Sequence, residues 1–252
     1  MKRAHLVYAH PEPRSFVAAM RDMAQDALES QGWETTLTDL HAIQFNPVAS
    51  AADFGARSRP EYLVYSLEQR HARKDNTLAP DIAAEVEAVR NADLLVLVFP
   101  TFWYSMPAQL KGWIDRVFIS GTFYGGRRVY DQGGMRGKHA MVVTSLGGRD
   151  HMFGPGSIHG DLKGMMRHLL QGTLGYVGFS VYEPFFAYHV PYVDNNTRTG
   201  MLMTLYYEMQ NLEKRTVLAM PSVSDFDDEF RPKFAASEAS PRPEKPQQTL
   251  SD

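Results

Sequence analysis

The chain has no cysteine in its 252 residues. A thiol nucleophile, a disulfide framework and any Cys-ligated zinc or iron–sulfur site are therefore excluded, and a reducing compartment fits that composition. It also lacks a strong charge of either sign. Its formal charge of -3 gives no electrostatic footprint for nucleic acid. No apolar run approaches the about 18 residues that cross a bilayer, and the stretch after Met1-Lys2-Arg3 stops at His10-Pro11, too short for a signal-peptide core. The expectation is a cytoplasmic protein without stable membrane insertion or nucleic-acid partner. Several motifs are missing too. Gly154-Pro155-Gly156 with Gly160 misses the GxGxxG spacing by one residue, Gly137-Lys138 lacks the rest of a phosphate-binding P-loop, and neither GxSxG nor HExxH occurs.

What is present is an alternation of strands and helices. Ala4–Ala9 is a short apolar run stopped by two prolines. Ser15 is a good N-cap for a helix with Met20, Met23, Ala24, Ala27 and Leu28 on one face. Gly32 ends it, and 34–40 reads as a second strand. Residues 46–77 are polar with scattered aromatics and predict short helices running over a sheet. Pro80-Asp81 starts a helix with Ile82, Val86 and Val89 inward. Asp93–Pro100 is apolar on both faces, as a central parallel strand must be. A helix over 108–118, a strand over 139–145, a loop over 149–160, a helix over 161–171, a strand over 179–185 and a helix over 199–216 follow. The fold class is α/β: an open, doubly wound, parallel five-stranded sheet with helices on both faces. Residues 1–234 read as a single domain, and the Pro-, Ser- and Gln-rich tail over 235–252 as disordered.

Sheets of this class bind ligands beyond the carboxyl ends of their strands, and four loops there carry unusual residues. His10–Phe16 leads into a helix N-terminus and offers amides to an anion; its plain alternative is a proline turn. Phe102, Trp103 and Tyr104 follow the most buried strand, and three consecutive rings cannot all point inward. At least one is offered to a flat ligand or a partner. Ser145–Gly148 allows close backbone approach, or is a simple turn. His159 lies beside glycine on a loop, where a histidine is either a proton donor near neutral pH or merely solvated. Together these are the parts an isoalloxazine ring requires: a phosphate cradle, an aromatic wall and N–H donors at its pyrimidine edge.

The chain resembles the NAD(P)H:quinone oxidoreductases of the DT-diaphorase type, within the flavodoxin-like flavoproteins. The resemblance is carried by Ala9-His10 with Ser15-Phe16, by Phe45-Asn46-Pro47, by Leu78 to Ile82, by Phe99-Pro100 with Trp103, by Leu110-Lys111-Gly112-Trp113 with Arg116 to Ile119, by Gly147-Gly148, by Gly156 to Asp161 and by Glu183-Pro184. Its order and spacing hold from about residue 4 to about residue 230.

It implies a homodimer with shared active sites, FAD rather than FMN, and ping-pong hydride transfer from NAD(P)H through flavin N5 to a quinone or similar flat acceptor. It places His10, Ser15, Phe16 and Val17 at the phosphates and adenosine. Thr101, Phe102, Trp103 and Tyr104 would flank the isoalloxazine, with Ser145, Leu146, Gly147 and Gly148 donating to its pyrimidine edge and Arg198 near the adenine. Tyr124, Phe123, Gly126 and Tyr176 would line the substrate pocket.

Three departures from the family stand out. The tyrosine of a Tyr–His relay is Phe153 here, so His159 is expected to act alone, through water, or less strongly. A glutamine near the adenine is replaced by Val64, and the asparagine after Phe16 by Val17. A pocket tyrosine is Gly126, which widens the pocket. A different kind of role is also open, that of a flavoprotein ancillary subunit binding a membrane potassium-efflux transporter. A flavodoxin-type electron carrier is a third.

Overall fold

In the computed structural model, residues 1–233 are described. The expected tail over 235–252 lies outside the described residues. Strand β3 (Leu94–Pro100) is buried along its whole length and occupies the middle of the sheet. β1 (Arg3–Tyr8) pairs with it in parallel on one side and β4 (His139–Ser145) on the other; β2 (Glu34–Asp39) extends the sheet beyond β1. The spatial order is thus β2-β1-β3-β4, continued past β4 by two short pieces, β5 (Ser180–Val181) and β6 (Phe185–Ala187), both parallel to β4.

Because side chains alternate along a strand, β3 feeds two cores. Leu95, Leu97 and Phe99 pack with α3 (Pro80–Asn91) and α4 (Ala108–Val117) on one face. Leu94, Val96 and Val98 pack with α1 (Phe16–Ser30) and α7 (Asn195–Gln210) on the other. Helices on both faces of a parallel sheet are what the apolar β3 predicts. Ser15 caps α1, its side chain accepting the Ala18 amide, and Ile82, Val86 and Val89 are the buried residues of α3. The excursion between β2 and α3 contains a short turn at Ala51–Asp53 and α2 (Tyr65–Asp75).

Three expected elements differ. The strand over 179–185 is split into β5 and β6. Pro184 has no amide to give a ladder, and the Glu183 amide is diverted to the Thr216 carbonyl at 2.8 Å. The helix over 161–171 breaks into α5 (Leu162–Met165) and α6 (Arg167–Leu169), which widens into a π-type turn at Leu170–Gly175. Met166 leaves helical geometry at φ -85, ψ 8, and the glycines at 164, 172 and 175 weaken helix continuity. The final helix begins four residues early, because Asp194 caps it by accepting the Thr197 amide.

Candidate functional site

The site lies where the strand order reverses, at the carboxyl ends of β1 and β3, the usual ligand position for this order. Beyond β1, Tyr8 supports the next loop: its hydroxyl is 3.3 Å from Ser15 Oγ, and the Arg21 guanidinium stacks 4.6 Å over its ring. The Phe16 and Val17 amides open a 15-residue helix and have no acceptor among the described residues. Such free amides, at the positive end of a helix, suit an anion. The Val17 side chain is in the core, so it offers the site only its amide. The Glu12 amide donates to His10 Nδ1 at 3.0 Å, which leaves Nε2 to carry the proton of the neutral ring. Burial holds His10's pKa below the usual value. His10 is thus a neutral donor.

Beyond β3 the chain reverses abruptly. Phe102 and Ser105 exchange both backbone hydrogen bonds, at 2.9 and 3.0 Å. The two residues between them, Trp103 and Tyr104, have φ of 50° and 58°. Both left-handed positions of a two-residue turn usually belong to Asn or Gly, and bulky residues there cost about 1–3 kcal/mol each. None of the three aromatic rings is buried, and Trp103 is 96% exposed. Thr101 anchors the base, its hydroxyl 2.8 Å from that of Thr144.

Beyond β4, the Leu146 amide donates to the Ala187 carbonyl, so it is not free to meet a ligand as expected. Ser145 is buried and belongs to β4. The Gly147 and Gly148 carbonyls are taken by His189, through its ring and its amide respectively. Their own amides have no acceptor among the described residues. The donor pair is therefore narrowed to Gly147 and Gly148.

Phe153 packs directly on Gly148: a β-carbon there would lie 2.8 Å from Phe153 Cε2. The Phe153 ring centroid is 5.2 Å from that of His159, 5.8 Å from that of Tyr188 and 6.3 Å from that of Tyr104. His159 has a polar neighbour that the sequence pattern did not single out. The Tyr104 hydroxyl is 3.2 Å from its Nδ1.

The remaining expected residues lie elsewhere. Arg198 donates to the Val190 and Pro191 carbonyls, so it braces the loop after β6, whose Tyr192 lies beside Gly147. Tyr124 and Tyr176 meet at 5.6 Å between ring centroids. Tyr176 and Gly126 line a cavity of about 510 Å³ with Tyr130, Phe226 and Phe230. Phe123 does not share it; it is fully buried against Phe118. No ring contact joins this group to the Phe153 cluster among the described residues.

Sequence reasoning missed Tyr188, His189 and Tyr192. The aromatic run after Pro184, at the carboxyl end of β6, was the signal available. The site as a whole brings together the free amides of Gly147 and Gly148, an exposed aromatic turn with positive φ and the free amides that open α1.

Residues 2–201 match the family described as flavodoxin-like fold. The chain is 37% identical over 235 residues to NAD(P)H dehydrogenase [quinone] 1 of Cavia porcellus, covering 93% of this chain and 86% of that protein. It is 36% identical over 214 residues to the human ribosyldihydronicotinamide dehydrogenase [quinone], covering 84% and 93%. A solved structure described as a quinone reductase from Klebsiella pneumoniae superposes with a TM-score of 0.82 at 30% identity, covering 92% of this chain and 90% of that one.

Proposed function

The chain belongs to the flavodoxin-like fold family and, within it, to the NAD(P)H:quinone oxidoreductases, and from that premise we propose that it binds FAD and reduces quinones with NAD(P)H. The reaction is NAD(P)H + H⁺ + quinone → NAD(P)⁺ + hydroquinone. The observation that carries this reading is the pair of free amides at Gly147 and Gly148, beside the aromatic turn and across the sheet end from the free amides of α1.

A bound flavin would supply two-electron hydride chemistry between nicotinamide and acceptor. The protein's part is binding and charge control. The Gly147 and Gly148 amides would hold the ring edge, and fixed donors there stabilise developing negative charge without reorganising. Trp103 and Phe102 cover the ring and exclude water. The Phe16 and Val17 amides, with the neutral His10, would hold the phosphates. His159 supplies the proton that completes the hydroquinone.

The proposed assembly is a cytoplasmic homodimer in which Tyr124 and Tyr176 of the partner subunit close the acceptor pocket, widened by glycine at 126. No helix among the described residues is long and apolar enough to cross a membrane.

Purified protein is expected to be yellow and to bleach with NADH or NADPH, and acid-released flavin is expected to run as FAD. Colourless protein that takes up neither FAD nor FMN overturns the reading. Release of FMN alone overturns the choice of cofactor.

A further inference from the structure

Tyr104 and His159 reach one another from loops after different strands. The phenol oxygen stands 3.2 Å from Nδ1, and the rings lie 5.8 Å apart. The aromatic residue nearest His159 on its own loop, Phe153, has no hydroxyl to offer. His159 Nε2 has no hydrogen-bond partner among the described residues, so the free side of the imidazole is available to a ligand.

The position of the Tyr104 hydroxyl is built rather than incidental. The turn that carries it is closed by both Phe102–Ser105 backbone bonds and held with positive φ at two bulky residues. The next residue is tied down as well. His168 Nδ1 lies 3.1 Å from the Met165 carbonyl, which can only accept, so in the neutral ring Nε2 is the acceptor and the Ser105 hydroxyl donates to it at 2.9 Å. Two successive turn residues are thus each bonded to a histidine of the 159–168 segment. Backbone strain kept in place by surrounding bonds is characteristic of functional sites.

We infer that Tyr104 is the positioning residue for His159, replacing from another loop the hydroxyl that Phe153 lacks. The inference rests on the quinone-reductase reading above. In the resting neutral ring Tyr104 donates to Nδ1, which fixes the proton on Nε2, the side of the ring left free for an acceptor; the bond made by one ring nitrogen decides the state of the other. When the ring is protonated, Nδ1–H donates back to the phenol oxygen. A phenol can accompany both charge states without moving, and a phenyl ring cannot. The quinone receives a hydride, two electrons and one proton, that originates in NAD(P)H. The Nε2 proton of the imidazolium completes the hydroquinone, which leaves a neutral ring with its proton on Nδ1, donating to the phenol oxygen; water then returns a proton to Nε2.

The test is Tyr104→Phe, which keeps the ring and removes the oxygen. In protein labelled with ¹⁵N-histidine, with and without flavin, His159 is expected to change from a single Nε2–H tautomer to a mixture. Flavin is expected to remain bound, while the quinone half-reaction slows about tenfold, a modest part of a general-acid contribution. Adding Phe153→Tyr in the Tyr104→Phe background is expected to restore the rate, which a merely structural role for Tyr104 does not predict. An unchanged tautomer, or an unchanged quinone half-reaction in flavin-loaded Tyr104→Phe, overturns the inference. Failure of the flavin reading is separately visible, because the parent protein then takes up no flavin at all.

Discussion

Gly148 and Phe153 are in direct contact: a β-carbon on the glycine would stand 2.8 Å from Cε2 and 3.0 Å from Cζ of the ring. The backbone of the donor loop and the aromatic floor of the site therefore occupy one another's space. Gly148→Ala must rotate Phe153 off its position, at a rotamer cost of about 1 kcal/mol, and must disturb the neighbouring His159. Gly147→Ala meets only Tyr192 Cε2, at 3.7 Å. The expectation is that Gly148→Ala weakens flavin binding about tenfold, or about 1.4 kcal/mol, and lowers the melting temperature, while Gly147→Ala leaves the melting temperature of flavin-free protein unchanged. Flavin titration by fluorescence quenching, beside thermal unfolding, checks both.

Arg116 is the fixed point on which the excursion before α3 is hung. Its guanidinium donates to Asp53 at 2.9 and 3.2 Å, to Asp81 at 2.8 Å and to the Asn46 carbonyl at 2.9 Å. Arg116 and Asp53 are both nearly inaccessible. Burial, then the bond to Asp53, push the neighbouring Tyr65 hydroxyl far above its usual pKa, so it stays protonated and donates to that carboxylate. Removing the arginine leaves Asp53 with an uncompensated buried charge, which costs about 3–5 kcal/mol. Arg116→Met is expected to lose stability of that order in urea unfolding, and Asp53→Asn added to it to recover part of the loss.

The fold was legible where one residue type settles an element. Ser15 starts α1, Pro80 starts α3, and the two-sided apolar run of β3 fixes the middle of the sheet. It was less legible where tertiary contacts decide. Glu183 leaves its strand for Thr216, a partner more than thirty residues away, and no local pattern encodes that choice. Within the site, the glycine pair and the aromatic triplet were visible as residue types. Which amides remain free was not, because Leu146 loses its donor to Ala187 on a neighbouring strand. The link between Tyr104 and His159 spans 55 positions and needed the topology.

His139 gives the fold a pH dependence at the opposite end of the sheet. Its ring stacks on Tyr182, 13° from parallel and 5.0 Å away. Burial, and then the charge of Lys2, hold its pKa below the usual value. The folded state thus binds this proton less readily than the unfolded one. The stabilisation is complete above the unfolded value of about 6.5 and is lost as pH falls through the lower folded value. His10 shifts the same way through burial, so part of the slope survives without His139. The melting temperature of the parent is expected to fall more between pH 7.5 and 5.5 than that of His139→Phe, by roughly 2–4 °C for each kcal/mol of linkage. Equal slopes in the two proteins would refute this assignment.

Trp103 and Tyr104 set stability against function in two adjacent residues. Each has positive φ, and neither side chain is packed into the core. Asn-Gly adopts both left-handed positions readily, and Ser105 and Phe102 can still close the turn through their backbones. Replacing the pair by Asn-Gly is therefore expected to raise the stability of flavin-free protein by about 1 kcal/mol or more, the release of part of the backbone strain. The same change removes the exposed ring proposed to cover the flavin and the hydroxyl on His159, so flavin affinity and quinone reduction are expected to collapse. Urea unfolding of the flavin-free double variant, compared with its flavin titration, measures both terms. A variant that is less stable and still binds flavin tightly would mean that the aromatic turn is held by its own packing and not for the ligand.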